Sequence, residues 1–387
     1  MSDNPNPPPE PIADGIYLDL PMQRYVNDTA LSGSAFLTLL TEPESLGWAK
    51  DSNPLYIKPE RAASRGRLRG SASHCAVLEG LEAYEASYKV KPEGVLSSDS
   101  DLRDFLRDAK ARWLAQLTEA NGGVKPKLKR EDSAPFLQTG ERDDLVARVL
   151  ALDPSQKIWE PDGEGVLLPS DDVYVRVVER FVRNDPTFAG YVSGGFPEVS
   201  IFLTVEIDGA PVRLKCRVDY LSAHTVLDLK TYAQPPRRGM SLRRHCVRMA
   251  RFNGADLQAV HNHQMVMEAG ARFRNGDLSV IQSGPDLTPA LVKQRLVIAK
   301  GIFDYHAKVE PVFRWLFLRM AGAPAGIVIP FRTENQEWHD VVAEIEAAKR
   351  QFILYREACG DGLWMTSAGE QEIGEYDWPM RDPEDQL

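Results

Sequence analysis

Clustered cysteines, long apolar runs and nucleotide-binding glycine loops are missing from this chain of 387 residues. Its four cysteines are widely spaced and form no CxxC pair, which favours reduced thiols over a disulfide scaffold. No run of about 18 apolar residues occurs, so no membrane span is expected. The first 14 residues, MSDNPNPPPEPIAD, lack the charged-then-apolar order of a signal peptide. The sequence therefore predicts a cytoplasmic protein with a proline-rich, disordered N-terminal tail.

Phosphate-binding loops are absent as well. Neither GxxxxGKS/T nor a GxGxxG between a strand and a helix occurs, so the protein is expected to work without ATP. The net charge of -10 argues weakly against a nucleic-acid partner, because phosphate neutralisation requires lysine and arginine. Net charge averages over the whole surface, however, and a local basic patch is enough for binding.

Helical and strand patterns alternate in an order typical of a mixed α/β core with helical additions. GIYLDL alternates weakly and predicts a short edge strand, and SAFLTLL predicts a helix after it. PEVSIFLTVEIDG and APVRLKCRVDYL predict a hairpin that turns at Asp208-Gly209. AHTVLDLKTY predicts a third strand, and FRWLFLRM and GIVIPF predict a later pair.

Three charged residues lie within the strand-rich segment VDYLSAHTVLDLK, at positions 218–230. Residues two apart on a strand point to the same face, so Asp228 and Lys230 share a face while leucines occupy the other. Asp219 ends the preceding strand on its polar face. Pairing through the hairpin brings Glu198 close to Asp219. The sequence thus predicts that three carboxylates and one lysine converge.

Such a cluster has the chemistry that phosphodiester hydrolysis requires. Hard divalent ions such as Mg²⁺ bind carboxylate oxygens and retain water ligands. A bound ion activates water and neutralises charge at phosphorus, and a nearby lysine can orient the water or stabilise the transition state. The spacing D-x8-D-x-K is loose, however, and many soluble hairpins match it by chance. A solvated charged face is the alternative interpretation.

At these residues the sequence resembles the PD-(D/E)xK nuclease superfamily. Val218-Asp219 stands where that family has its PD pair, with valine replacing proline, and Asp228-Leu229-Lys230 matches the D-x-K. RGSASHCAVLEG resembles the G-x-x-x-H helix of the RecB-like branch, with Gly70 and His74 at the motif positions. IYLDLPMQRYVNDTALSGSAFLTLL resembles the start of RecE-like phage and prophage exodeoxyribonuclease domains.

The resemblance covers about 15–90, 195–270 and, loosely, 313–358. It implies a restriction-endonuclease-like α/β fold, in which a central mixed sheet is flanked by helices and carries helical inserts. The expected segments are a disordered tail (1–14), the N-terminal part of the nuclease domain (15–90), a helical insert (91–165), the catalytic core (166–270), a second insert (271–312), the C-terminal strands and helix (313–360) and an acidic tail (361–387).

The resemblance also implies a Mg²⁺-dependent DNA exonuclease in which Mn²⁺ substitutes. The implied metal ligands are His74, Glu198, Asp219, Asp228 and the backbone carbonyl of Leu229. Lys230 is expected to position the attacking water, with support from Gln258. Glu198, Asp219 and Asp228 are thus expected to be catalytic together with these two residues.

The implied substrate is the end of linear double-stranded DNA, resected for recombination in a bacterial or phage-infected cell. A single-strand annealing protein and a homo-oligomer are the implied partners. The sequence departs from the family at Asn262, where a tyrosine often stands. Its scattered cysteines differ from those of the iron–sulfur nucleases of the superfamily, so no cluster is expected.

Arginine-rich stretches flank the predicted site and are expected to contact DNA phosphates without reading sequence. One stretch precedes His74 and the other lies between Lys230 and Gln258. The predicted DNA-binding residues are Arg65, Arg67, Arg69, Arg237, Arg238, Arg243, Arg244, Arg248 and Arg251. The letters HNH at 261–263 are not an HNH nuclease motif, because adjacent residues on a helix point in different directions.

Several interpretations of these residues stay open. His74 lies on an apolar helix face, where a histidine is often a hydrogen-bonded core residue, and Gln258 alone is compatible with surface decoration. The chain as a whole is also compatible with a catalytically weak nucleic-acid-binding or assembly component that keeps the fold. A structure-specific or single-strand endonuclease in defence or repair is the third alternative.

Overall fold

The computed structural model describes residues 10–48, 64–92, 94–129, 131–159, 165–233, 236, 238–284 and 287–360. Most of the predicted N-terminal tail, the acidic tail at 361–387 and Arg237 lie outside these residues. Among the helices that are described, none is both long and apolar enough to cross a membrane.

The strands alternate with helices along the chain. The strands are β1 (Gly15–Leu18), β2 (Lys89–Val90), β3 (Val95–Leu96), β4 (Lys157–Ile158), β5 (Val166–Leu167), β6 (Phe196–Ile207), β7 (Ala210–Ser222), β8 (Thr225–Tyr232), β9 (Val280–Gln282), β10 (Val312–Arg319) and β11 (Gly326–Phe331). The helices are α1 (Met22–Asn27), α2 (Gly33–Thr41), α3 (Pro43–Trp48), α4 (Arg65–Leu78), α5 (Leu81–Ser87), α6 (Asp99–Ala120), α7 (Arg142–Leu152), α8 (Pro169–Asn184), α9 (Pro186–Ala189), α10 (Leu242–Phe252), α11 (Ala255–Asn275), α12 (Pro289–His306) and α13 (Gln336–Cys359).

A seven-stranded mixed sheet forms the centre of the molecule, in the order β11-β10-β8-β7-β6-β1-β9. Strands β6, β7 and β8 are antiparallel neighbours, whereas β8–β10 and β1–β9 pair in parallel. The β6–β7 hairpin turns at Asp208 and Gly209, which both have positive φ angles of 49° and 79°. Such a turn matches the twist of the two strands, which explains why the Asp-Gly pair predicted it correctly.

Helices cover both faces of this sheet. On one face Phe36 of α2, Val260 of α11 and Ile345 of α13 pack with Val199 and Val218 of the hairpin. On the other face, α4 and α8 supply Val77 and Val178, which pack with leucines of β8 and β10. Each such buried side chain contributes about 2 kcal/mol. The predicted class, an α/β fold with a central mixed sheet flanked by helices, is therefore confirmed.

Strand β1 differs from the sequence prediction. It was expected at an edge of the sheet, but it lies between β6 and β9. Its partner β9 comes from the segment 271–312, which the resemblance does not cover. All four residues of β1 are buried, so its weak alternation reflects burial on both faces and not an exposed edge.

Candidate active site

The site forms where β7 and β8 separate. The two strands pair only between Tyr220–Ser222 and Thr225–Leu227. Continuing that register places Asp219 opposite Asp228, immediately beyond the last paired residues. The Asp219 carboxylate accepts a 2.7 Å hydrogen bond from the backbone N–H of Leu229, so a side chain replaces the missing ladder bond. This opening in the sheet leaves room for the acidic side chains.

Glu198 joins the cluster from the neighbouring strand. Its neighbours Pro197 and Val199 pair with Tyr220 and Val218, so Glu198 lies opposite Asp219 in the hairpin. Its backbone has a φ of 55°, in the left-handed region that non-glycine residues rarely occupy. The hairpin register therefore brings two carboxylates together, as the sequence indicated, while the backbone conformation was not predictable from it.

His74 reaches the two carboxylates from helix α4. Its Nε2 lies 3.0 Å from Asp219 Oδ2, and its Nδ1 lies 3.4 Å from Glu198 Oε1. Helix α4 approaches β8 closely at Gly70, where an added Cβ would lie 3.2 Å from the Thr231 hydroxyl. The glycine one turn before His74 thus permits the close approach of helix and strand.

Lys230 and Gln258 form the second half of the site. The Lys230 ammonium donates to Asp228 Oδ1 at 2.9 Å and to Gln258 Oε1 at 3.0 Å. Asp228 is 1% exposed, and its second oxygen, Oδ2, is buried and has no hydrogen-bond partner among the described residues. Gln258 lies in the first turn of α11, against Gly33 of α2, where a Cβ would meet the Gln258 Cα at 2.9 Å.

His74, Asp219 and Glu198 form the first half of the site, and the charge of each depends on the other two. Burial lowers the pKa of His74, but Asp219 and then Glu198 outweigh it and raise that pKa to about 9. Burial opposes ionisation of Asp219, yet the charge and hydrogen bond of His74 hold its pKa below the ordinary value. Burial and the charge of Asp219 raise the pKa of Glu198. Both ring nitrogens of His74 face carboxylates, which accept hydrogen bonds. Each nitrogen must then carry a proton, so the ring is a charged imidazolium.

The second half is an ion pair between the buried carboxylate of Asp228 and the partly exposed ammonium of Lys230. Burial raises the pKa of Asp228 to about 6, against the opposing charge of Lys230. Burial disfavours charge on Lys230, but the carboxylates of Asp228 and Asp219 outweigh it and raise its pKa. Lys230 is therefore held as an ammonium, with Asp228 as its closest anion.

His74, Glu198, Asp219, Leu229 and Gln258 line a cleft of about 780 Å³. The Lys230–Asp228 pair adjoins this cleft through Gln258, which accepts a hydrogen bond from Lys230. The walls of the cleft carry the aromatic residues and arginines Tyr25, Tyr88, Arg67 and Arg217. The charged side chains that line this open cleft are accessible to an extended polyanion.

The donor set fits a divalent cation. One ligand atom each from His74, Glu198 and Asp219 lies within 4.8 Å of the other two. Asp228 stands outside this close group, but it lies opposite Asp219 in the continued strand register, and its buried Oδ2 is a further anionic donor. Carboxylate oxygens with one imidazole suit Mg²⁺ or Mn²⁺. Because a ligating imidazole must be neutral, a cation at this position takes the place of the His74 proton.

The predicted DNA-binding arginines fall into different environments. Arg65 and Arg69 form ion pairs with the buried carboxylate of Asp171 on α8, so their guanidinium groups already have intramolecular partners. Arg67 faces the cleft. Arg251 pairs with Asp256 and Glu344. The other described members are exposed on α10 or just before it, at Arg238, Arg243, Arg244 and Arg248. Their role in DNA binding stays a prediction.

The HNH letters belong to the core. His261 and His263 are 1% and 3% exposed, and each hydrogen-bonds a backbone carbonyl, those of Lys215 and Pro311 respectively. The carbonyls can only accept, so Nε2 carries the proton in both rings. Asn262, between them, lines the cleft. The adjacent letters therefore point in different directions, as the helical period predicted.

Several cleft residues were missed by sequence reasoning. Arg217 binds Glu198 and lines the cleft, and Tyr25 and Tyr88 form part of its walls. Arg217 did carry a signal, because it lies two residues before Asp219 on the same strand face. The tyrosines come from segments distant in sequence, and no local pattern marks them as neighbours of the site.

Comparison with known proteins adds only distant likenesses. No protein-family model matches the chain, and no curated protein matches it. The chain is similar to the crystal structure of a "Putative exonuclease" from Eubacterium rectale, with 12% identity over 79% of this chain and 88% of that chain and a TM-score of 0.31. It is also similar to the crystal structure of SSO0001, with 11% identity over 73% and 85% and a TM-score of 0.19. Likenesses this distant do not assign an activity.

Proposed function

We propose that this protein is a metal-dependent deoxyribonuclease that hydrolyses phosphodiester bonds. The observation that carries the proposal is that His74, Glu198 and Asp219 meet in one cleft, while the Lys230–Asp228 ion pair adjoins them through Gln258 and the backbone of Leu229. Charged groups buried beside one another in a cleft are expensive for folding and are concentrated at functional sites. On a solvated face of the sheet, Asp228 would be exposed, and His74 would not contact both Asp219 and Glu198.

The metal ligands of this proposal are His74, Glu198, Asp219 and Asp228, with the carbonyl of Leu229 as an additional oxygen. When bound, Mg²⁺ would neutralise charge that develops on the phosphate and lower the pKa of a bound water. The unpartnered oxygen of Asp228 supports its assignment as a ligand, since a buried carboxylate oxygen without a partner is costly.

Lys230 holds the attacking water or a phosphate oxygen in this proposal. Its ammonium has three donors, of which two are used by Asp228 and Gln258. The third donor has no partner among the described residues and would meet substrate in this proposal, with the two protein contacts fixing its direction. Gln258 acts by keeping Lys230 in place.

The finer assignment is an exonuclease of the RecE-like branch that resects linear double-stranded DNA for recombination. The order of the G-x-x-x-H helix, the upstream acid, the D-x-K strand and the helix glutamine supports it. Phosphate contacts from Arg67 and from the exposed arginines of α10 would make DNA binding independent of sequence. An annealing protein and a homo-oligomer remain partners to be tested.

The variant Lys230→Met tests the catalytic assignment. We expect at least a 100-fold loss of Mg²⁺-dependent cleavage of end-labelled linear duplex, because charge stabilisation at the scissile phosphate is lost. Binding of the same duplex in Ca²⁺ should change less than threefold. Lys300→Met, an exposed lysine on α12, is the matched control and should keep wild-type activity. Wild-type cleavage by Lys230→Met would show that the site is assigned wrongly.

The choice of substrate separates the remaining alternatives. An exonuclease requires an end and spares covalently closed circles, whereas a single-strand endonuclease cuts closed single-stranded circles and a structure-specific endonuclease cuts closed circles that carry its structure. Absence of cleavage in both Mg²⁺ and Mn²⁺, combined with retained DNA binding, would instead identify a binding or assembly component.

A further inference from the structure

Arg217 connects the proposed metal site to Leu20, two residues after the end of β1. It lies on β7, two residues before Asp219, and its side chain is 13% exposed. Its Nε donates to Glu198 Oε2, and its Nη1 donates to the carbonyl of Leu20 at 2.8 Å. The guanidinium also lies 5.7 Å from the ring of Tyr25. Three different contacts thus fix the direction of this side chain.

Glu198 is held in an unusual backbone conformation at the other end of this contact. Its φ of 55° is matched by a φ of 56° at Asp19. Tyr17 pairs with Ser200, so the continued register places Asp19 opposite Glu198 in the next strand. Asp19 is itself bound by Arg295 at 2.7 Å and Gln282 at 2.7 Å. Left-handed residues persist where surrounding contacts over-determine them, which is the case on both strands.

We propose that Arg217 is a positioning residue for Glu198. By binding Oε2, it leaves Oε1 directed at the space shared with His74 and Asp219, where Oε1 lies 3.4 Å from His74 Nδ1. The carboxylate is thereby presented to the cation through one defined oxygen. This inference rests on the proposed metal site and adds the residue that orients one of its ligands.

A role of Arg217 that depended on its charge alone would have the opposite effect on metal affinity from a role in positioning Glu198. A guanidinium beside a cation site repels the cation, so its removal would strengthen metal binding if charge balance were its only contribution. If Arg217 orients Glu198, its removal weakens metal binding in spite of the lost repulsion. Lysine keeps the charge but lacks the planar fork that reaches Glu198 and Leu20 together, so Arg217→Lys separates geometry from charge.

Mn²⁺ affinity, measured by the electron paramagnetic resonance signal of free Mn²⁺, tests this. We expect Arg217→Lys and Arg217→Met to bind Mn²⁺ at least tenfold more weakly than the wild-type protein. Cleavage by both should recover towards wild type at saturating Mn²⁺, since the residue does not contact the scissile bond. Arg213→Lys is the control, because Arg213 lies on the same strand face and pairs with Asp28. It should leave the Mn²⁺ affinity unchanged.

The outcomes separate this inference from the proposed function. Wild-type or tighter Mn²⁺ binding by Arg217→Met overturns the positioning role and leaves the metal site standing. Wild-type affinity in Arg217→Lys likewise overturns it, and this variant suffices if Arg217→Met does not fold. Failure of the wild-type protein itself to bind Mn²⁺ would contradict the proposed function.

Discussion

Histidine shows how far single residues of this protein depend on their surroundings. His74 faces two carboxylates, and its pKa is raised to about 9 although burial opposes the charge. His261 is buried more deeply, at 1% exposure, and faces a backbone carbonyl, and burial lowers its pKa to about 4. His306, bonded to the carbonyl of Ser222, also has a pKa lowered to about 4 by burial. The neighbouring charge, and not burial alone, sets which histidines are charged.

The buried neutral histidines predict a loss of stability in mild acid. The pKa of His261 in the folded protein lies below its unfolded value of about 6.5. The stability that neutral His261 contributes to the folded protein is therefore present above pH 6.5 and is lost as the pH falls towards 4. The free energy of unfolding should fall by up to about 1.4 kcal/mol per pH unit for each such proton in this window.

Urea unfolding between pH 7 and pH 4.5 measures this slope. The variant His261→Phe should be less stable at pH 7, because the hydrogen bond to Lys215 is lost. Its slope between pH 6.5 and pH 4.5 should be smaller than that of the wild-type protein. An unchanged slope would show that protonation of His261 does not contribute.

At the scale of elements, the packing of α2 on α11 controls part of the site. Gly33 contacts the backbone of Gln258, and Gly254 at the start of α11 has a φ of 65° and faces Leu37 of α2. Two glycines therefore allow the helices to approach closely at the residue that holds Lys230. The position of Gln258 thus depends on the helix contact as well as on its place in the sequence.

The variant Gly33→Ala should displace Gln258. The added Cβ would lie 2.9 Å from the Gln258 Cα, which is too close for two carbon atoms. Because the Cα belongs to the backbone, the clash can be relieved only by shifting helix α11 or α2. We expect a decrease in kcat of about tenfold or more, because small misplacement of catalytic groups is costly.

Gly301→Ala provides the matched control for Gly33→Ala. Gly301 lies within α12, and an added Cβ meets no neighbour within 4 Å. Alanine there should keep activity and raise stability by about 0.5–1 kcal/mol. Thermal unfolding and cleavage rates measured on both variants distinguish local displacement from a general effect of removing glycine.

At the scale of the whole molecule, the first predicted insert has a core of its own. Leu102 and Leu106 of α6 pack with Leu145 and Val149 of α7, apart from the clusters on the central sheet. Strands β3 and β4 pair at the base of this unit and bring its two ends together. The segment is therefore separable in its packing, although its boundaries as a domain remain a prediction.

Removal of this unit tests its independence. Replacing residues 98–155 with about twelve glycine and serine residues keeps β3 and β4, whose parallel pairing requires a crossover connection of about that length. We expect the shortened chain to fold cooperatively and to bind Mn²⁺ with wild-type affinity. Loss of folding would mean that the insert is integral to the central α/β core. A changed DNA affinity with intact metal binding would assign the insert to substrate recognition.

The sequence by itself determined the local elements that carry the site. Alternation and an Asp-Gly turn predicted β6 and β7, and period-two spacing placed Asp228 and Lys230 on one face. These properties depend on near neighbours in the chain, which makes them readable. The same reasoning placed Glu198 beside Asp219, since the register of a hairpin follows from its turn.

The tertiary structure decided what depends on distant segments. It placed β1 inside the sheet, because β9 pairs with the side of β1 that faces away from β6. The sequence did not predict this, since β9 comes from a part of the chain without a matching motif. It turned Arg65 and Arg69 towards Asp171, which is about 100 residues away in sequence, and brought Arg217 to Glu198. Partner choice among charged side chains follows from long-range packing, which single-sequence patterns do not record. The separation of β7 from β8, which opens the site, likewise arises only in the assembled sheet.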